Sequence, residues 1–128
     1  MLGTREALVN SAQDHLWVMT PKAMGHLTRL SAIKLAEGLK IHSIMNEENR
    51  TSGVSLPSSK NAIRKLIDEV PLILLISEKE ASVSFPSKRV DGTVDFATSF
   101  FGTDIPFLNW TNDLFLHYWE QAKIWYSN

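Results

Sequence analysis

Residues 106–126 read PFLNWTNDLFLHYWEQAKIWY, and they hold three of the four tryptophans and both tyrosines of the chain. Whether those rings form a helix packed on a sheet or the wall of a ligand site decides what the rest can be. Trp110, Leu114, Tyr118, Ala122 and Trp125 follow one another at spacings of three or four, and Phe115, Trp119, Ala122 and Tyr126 form a second stripe beside them. Two adjacent stripes make one wide apolar face on a helix. Asn112, Asp113, Glu120, Gln121 and Lys123 occupy much of the remaining surface. Thr111 is the expected N-cap, with Trp110 stapled against Phe115 and Asp113 favourably placed in the first turn. Each large ring removes about 150–250 Å² from water on docking, so the spacing favours core packing over ligand stacking for most of them. Trp110, at the helix start, is the ring expected to stand half exposed beside a cleft.

Working outward, the other elements have local signatures. Residues 4–14, TREALVNSAQD, read as a helix capped by Thr4, followed by a strand over HLWVM, 15–19. Thr20-Pro21 reads as cap and first residue of a second helix, running to Glu37 and closed by Gly38 in a left-handed turn. LKIHSIM, 39–45, alternates as a strand. Residues 46–58, NEENRTSGVSLPS, read as a flexible loop. A third helix is expected from Ser58 or Ser59, because Ala62, Ile63, Leu66, Ile67 and Val70 recur at helical spacing. PLILLIS, 71–77, and ASVSF, 81–85, read as a hairpin turning through Glu78-Lys79-Glu80. Residues 86–93 read as a loop with an Asp91-Gly92 turn, and 94–102 fit no single state. This alternation predicts a single α/β domain: a mixed, mostly parallel sheet flanked by helices, its last two strands antiparallel, closed by the C-terminal aromatic-rich helix.

The totals narrow the function. A chain of 128 residues is one domain and can bury a core without staples. With 44% hydrophobic and 21% charged residues it has the composition of a globular protein; its first residues, MLGTREALVN, lack the basic start and long apolar run of a secretory signal, and no membrane-length apolar run is present, so no membrane span is expected. We expect a cytoplasmic protein without a membrane partner. No cysteine is present, which excludes disulfides and thiol catalysis. A net charge of −1 with scattered basic residues makes this surface a poor partner for phosphate backbones. His15, His26, His42 and His117 show no H-x-x-x-H spacing, so neither metal nor cofactor is expected. There is no G-x-S-x-G elbow and no glycine-rich phosphate loop.

One positional argument remains. Ligands of open parallel sheets sit beyond the carboxyl ends of the strands, here Met19-Thr20, Met45-Asn46-Glu47 and Ser77. The helix expected at Thr20-Pro21 would offer free N–H groups, and the 46–58 loop could act as a lid. The candidate ligand residues are therefore Thr20, Asn46, Glu47 and Arg50, joined by Trp110 and Asp113. No catalytic residue is assigned.

Four segments carry a resemblance: GLKIHSIM (38–45), EVPLILLISEKEASVSFP (69–86), DGTVDFATSFFGTD (91–104) and WTNDLFLHYWEQA (110–122). Together they resemble the C-terminal regulatory domains of archaeal transcription regulators of the TrmB-like and methanogenesis regulatory protein type. The resemblance implies a phospholipase D-like α/β domain without catalytic function, binding a small-molecule effector and forming a homodimer. It also implies that DNA is read by a separate winged helix-turn-helix module, since no three-helix unit with a basic recognition helix is legible here. Catalytic relatives need H-x-K-x-x-x-x-D, but Trp17 follows His15 at the lysine position and Ile44 follows His42. Two alternatives stand beside the sensor: a degenerate phosphodiesterase built on His15 and His42, and a dimerisation module with no ligand.

Overall fold

Thr4 accepts a hydrogen bond from the Ala7 N–H at 3.0 Å and so starts helix α1, Arg5–Ser11. In this computed structural model, which describes residues 4–51 and 59–125, α1 leads directly into strand β1, His15–Met19. The junction is pinned from a distance. The Glu78 carboxylate accepts N–H groups of Gln13, Asp14 and His15 at 3.0–3.4 Å. Burial raises the carboxyl of Glu78, but these backbone donors and its own N–H outweigh it and hold the group below its ordinary value.

Helix α2 spans Gly25–Ala36. The expected start at Thr20-Pro21 is not where it forms. Its N-cap is Met24, without a side-chain bond, and the Thr20 hydroxyl donates instead to the Lys22 carbonyl at 3.0 Å, which holds 20–24 in a tight turn. The stop is as expected, with Gly38 at φ 98°. Strand β2, Lys40–Asn46, runs parallel to β1 in the register Trp17↔His42. A short 3₁₀ turn, Glu47–Thr51, follows; residues 52–58 of the expected lid lie outside the described residues.

The third expected helix is instead strand β3, Ala62–Ile67, pairing parallel with β2 over Ile41–Asn46. Strands β4, Ile73–Ser77, and β5, Ala81–Lys88, form the expected hairpin. Residues 94–102 become β6, Val94–Gly102, across a turn in which Gly92 takes φ 88°. Helix α3, Ile105–Gln121, begins six residues before Thr111. Its cap is Asp104, which accepts the Phe107 N–H at 3.3 Å, and Pro106 sits in its first turn. Thr111 lies buried inside the helix and its hydroxyl donates to the Leu108 carbonyl at 2.9 Å. After Ala122 the chain forms the two-residue strand β7, Lys123–Ile124, against β3, so Trp125 is not helical; Tyr126 lies outside the described residues.

The described strands form one sheet in the order β6-β5-β4-β1-β2-β3-β7. It is mixed, but not mostly parallel. Only β1–β2 and β2–β3 are parallel, and β1–β4, β4–β5, β5–β6 and β3–β7 are antiparallel. The cause lies in the connections. The chain leaves β3 at one side of β1 and re-enters the sheet on the other side as β4, running the opposite way. Each face of the sheet carries its own core. Leu16, Ile41 and Leu75 pack against α1 and α2 through Leu8, Val9, Leu27 and Leu35. Met19, Ile44, Leu74, Ile76 and Val83 pack against α3 through Phe115. Strand alternation makes this possible, because successive residues of β1 point to opposite layers.

Candidate functional site

Under α2 the sheet is not fully filled. Along the floor, register alone sets a row from Leu75 through Val18 and Ser43 to Arg64, on β4, β1, β2 and β3. The roof is the turn after β1 and the inner side of α2, with Ala23, Met24, Leu27, Thr28 and Ser31. Ala23, Thr28, Ser31, Ser43 and Ala62 are too small to meet across the layer, and they leave a cavity of about 60 Å³. Its wall is mainly apolar, and Arg64 is the one charged side chain among the described residues that line it. Burial lowers the Arg64 pKa from its ordinary value, yet a guanidinium stays charged at any physiological pH.

The sequence candidates fall in three places. Thr20, 2% exposed, lines this cavity, but its hydroxyl is used by Lys22. Asn46 lies beside it, since Thr20 N–H donates to the Ile44 carbonyl and Asn46 N–H to the Pro21 carbonyl. The Asn46 side chain is engaged internally, its Oδ1 accepting the Val70 N–H at 2.6 Å. Glu47 and Arg50 form an exposed ion pair at 2.6 Å on the 3₁₀ turn. The Arg50 hydrogen bond is the main cause that lowers the Glu47 pKa. Trp110 and Asp113 are on α3, across the sheet from the cavity, so they are not brought together with Thr20. Trp110 is 50% exposed and stacks on Phe107 at 6.3 Å. Ser77 is also separated. Because β4 is antiparallel to β1, Ser77 pairs with Leu16 near the start of β1 rather than its carboxyl end. Ser43, Arg64, Thr28 and Ser31 were not singled out from sequence. Reading 62–67 as a strand would have placed Arg64 on the α2 side by alternation.

The opposite face holds the histidines. His15, Trp17 and His42 share it, and α3 lays Phe115 and Trp119 on top. Ring centroids run His15–Trp17 5.1 Å, Trp17–Phe115 5.1 Å, Phe115–Trp119 5.7 Å and Trp119–His42 5.0 Å. Trp17 also stacks with His42 at 6.5 Å, so its indole neighbours both imidazoles. Lys65 Nζ sits 4.2 Å over the Trp119 ring and donates to the Trp119 carbonyl at 3.0 Å. His15 Nδ1 lies 3.2 Å from Asp14 Oδ2. Among the described residues no group of three or more His, Asp or Glu side chains is placed to hold a metal.

Burial lowers the His42 pKa below 6.5, and the positive fields of His15, Lys65 and Lys40 lower it further. The folded state therefore prefers neutral His42 more than the unfolded chain does. That preference stabilises the protein above pH 6.5 and is lost as pH falls through the depressed folded value. His42→Phe, which keeps a ring against Trp119, should flatten the decline in unfolding free energy below pH 6.5. Urea titrations at several pH values would read this, and an unchanged acid slope would refute it.

A mixed sheet with two helices on one face and one long helix on the other, in this strand order, is a phospholipase D-like α/β fold. Solved structures agree. The archaeal chromatin protein TrmBL2, whose structure shows a novel mode of DNA binding, matches with a TM-score of 0.71 at 14% identity over 93% of this chain. The present chain spans about half of that one, 47%. NucT from Helicobacter pylori matches with a TM-score of 0.68 at 11% identity, over 93% of this chain and 87% of that one. Nuc from Salmonella typhimurium, a phospholipase D family member, matches with a TM-score of 0.71 at 10% identity, over 95% and 88%. At these identities the likeness is one of fold. No family model and no curated protein matches the chain. No helix among the described residues is long and apolar enough to cross a membrane.

Proposed function

We propose that this domain is the non-catalytic, effector-sensing part of an archaeal TrmB-like transcription regulator, working as a homodimer with DNA read by a separate module. The observation that carries this reading is the cavity under α2, a preformed space walled by apolar and small hydroxyl side chains with one cation. The sequence adds a second support: none of the four histidines is followed by the lysine of H-x-K-x-x-x-x-D. The mechanism is linkage. A ligand that fits the cavity in one arrangement of α2 better than another shifts the population toward it, and attached DNA readers follow.

A phosphodiesterase remains the second reading, because two histidines share one face of a fold that Nuc also has. Against it, Trp17 is a ring neighbour of both imidazoles, tilted against His15 and stacked with His42. Two measurements separate the readings. Thermal shift against a metabolite panel should raise Tm with at least one compound, while bis-p-nitrophenyl phosphate should not be hydrolysed above background. Hydrolysis abolished by His15→Ala with His42→Ala would establish the enzyme instead. A dimer on sizing that no compound stabilises would leave a dimerisation module.

A further inference from the structure

The sheet has two edges, and they are protected unequally. On one side β7 adds only two residues against β3, and its exposed Lys123 puts a charge on that edge. The other edge is β6, nine residues long and without lysine, arginine or proline. Its one charged residue, Asp95, is paired with Arg89 at 2.7 Å near the strand start. A register shift between Phe85 and Ser87 bends that start, but residues 98–102 pair in unbroken register with 81–85. Among the described residues, 98–102 make no backbone hydrogen bond beyond those to β5, so their outer row of N–H and C=O groups stands open. Phe100 pairs with Val83 of the α3-side core and therefore points to that side. It is 56% exposed, and its ring meets the exposed Phe85 edge-on at 5.9 Å. Gly102 lies on the same side under Phe107, whose ring an added Cβ would strike. Ile105, 72% exposed, follows at the start of α3.

We infer that β6 is the joint of the homodimer: a second copy of this chain pairs antiparallel with it about a two-fold axis at Phe100, and one sheet continues through both copies. The inference rests on the homodimer in the reading above and names its surface. Three features select a second copy as the occupant. Antiparallel pairing makes a strand its own complement, and the register about Phe100 sets Phe100 against Phe100 and Thr98 against Gly102, which has no side chain to clash. Residues 98–102 carry no charge that would select a charged partner. The area fits as well. Phe85, Phe100 and Ile105 together offer roughly 300 Å² of exposed apolar surface per copy, the apolar half of a contact at the low end of specific interfaces. Main-chain hydrogen bonds along the edge add to it, and a contact of this size gives a micromolar dimer that exchanges with monomer.

Sedimentation velocity on the whole chain, from about 1 μM to about 1 mM, should show a monomer–dimer equilibrium. Phe100→Lys should raise the dimer dissociation constant at least about thirtyfold, the scale of a central hot-spot residue. Ile33→Lys, on the exposed side of α2, is the control and should change it by less than about threefold. If Phe100→Lys fails to fold by circular dichroism, Thr98→Lys is the second variant. Thr98 is exposed on the same strand, and a lysine there should weaken pairing by about tenfold. Because the chain has no cysteine, single cysteines read the register. Phe100→Cys should give a disulfide-linked dimer under mild oxidation, whereas Thr98→Cys, with its two copies about 14 Å apart, should not. The failures are distinguishable. A dimer that neither lysine variant weakens keeps the homodimer and overturns the β6 joint. A chain that stays monomeric at about 1 mM overturns both. Thr98→Cys cross-linking as readily as Phe100→Cys overturns the pairing about Phe100.

Discussion

Replacing Phe115 with alanine should destabilise the domain by about 3–5 kcal/mol, the range for truncating a large buried ring. Phe115 is 1% exposed and is the contact through which α3 holds its face of the sheet. Its ring stacks on Trp17 at 5.1 Å and on Trp119 at 5.7 Å, above a core that includes Met19, Ile44, Leu74 and Ile76. Removing it deletes apolar area from both layers and leaves a cavity that neighbouring rings, each already stacked, cannot collapse into. Trp110→Ala is the control on the same helix. Trp110 is half exposed and touches Phe107, so its loss should cost no more than about 1 kcal/mol. Urea unfolding at constant pH gives both values. A Phe115→Ala midpoint close to that of Trp110→Ala would mean that α3 does not dock through Phe115, and the two-layer description would fail.

That contrast also shows what the sequence could and could not disclose. Helical period correctly gathers Leu114, Phe115, Tyr118 and Trp119 on one face, because period depends only on local geometry. It does not say where the helix starts. Thr111 and Asp104 are both acceptable caps, and Asp104 is used because Pro106 suits the first turn and Thr111 falls where the sheet must be met. β1, β2 and the β4–β5 hairpin were legible for the same local reason. β3 was not. Its residues AIRKLI run apolar, apolar, polar, polar, apolar, apolar, which suits a helix as well as a strand, and the decision comes from pairing with Ile41–Asn46, a nonlocal contact. Strand direction was illegible for a related reason. Nothing local to residues 68–72 tells the chain to cross β1 before forming β4. The candidate site inherits both gaps. Thr20, which lines the cavity, was singled out because it ends a strand, whereas Arg64, which also lines it, was hidden inside a misread element.

Asn46, a ligand candidate from its place at a strand end, is engaged in a backbone clamp. Asn46→Ala should cost about 1–3 kcal/mol in stability, the penalty for stranding a buried donor. The donor is the N–H of Val70, a residue 4% exposed, which gives a 2.6 Å bond to Asn46 Oδ1, so water cannot readily replace the lost acceptor. Asn49 completes the clamp. It is 4% exposed, and its Nδ2 donates to the Pro21 carbonyl at 2.7 Å and the Asn46 carbonyl at 2.9 Å. The two side chains thus tie the turn after β1, the end of β2 and the entry to β4 into one unit. Asn49→Ala should cost a similar amount. The double variant should fall short of the sum by about 0.5–3 kcal/mol, because both changes release the same backbone. Asn46→Asp, which keeps the acceptor, should recover part of the loss. A structural clamp and a ligand contact predict different second readouts. If Asn46 only holds the backbone, folded Asn46→Ala should bind a panel compound that stabilises the parent within about threefold of the parent, a difference of less than 1 kcal/mol. A stable Asn46→Ala that has lost binding would instead put Asn46 in direct contact with the ligand, and the cavity under α2 would no longer be a sufficient description of the site.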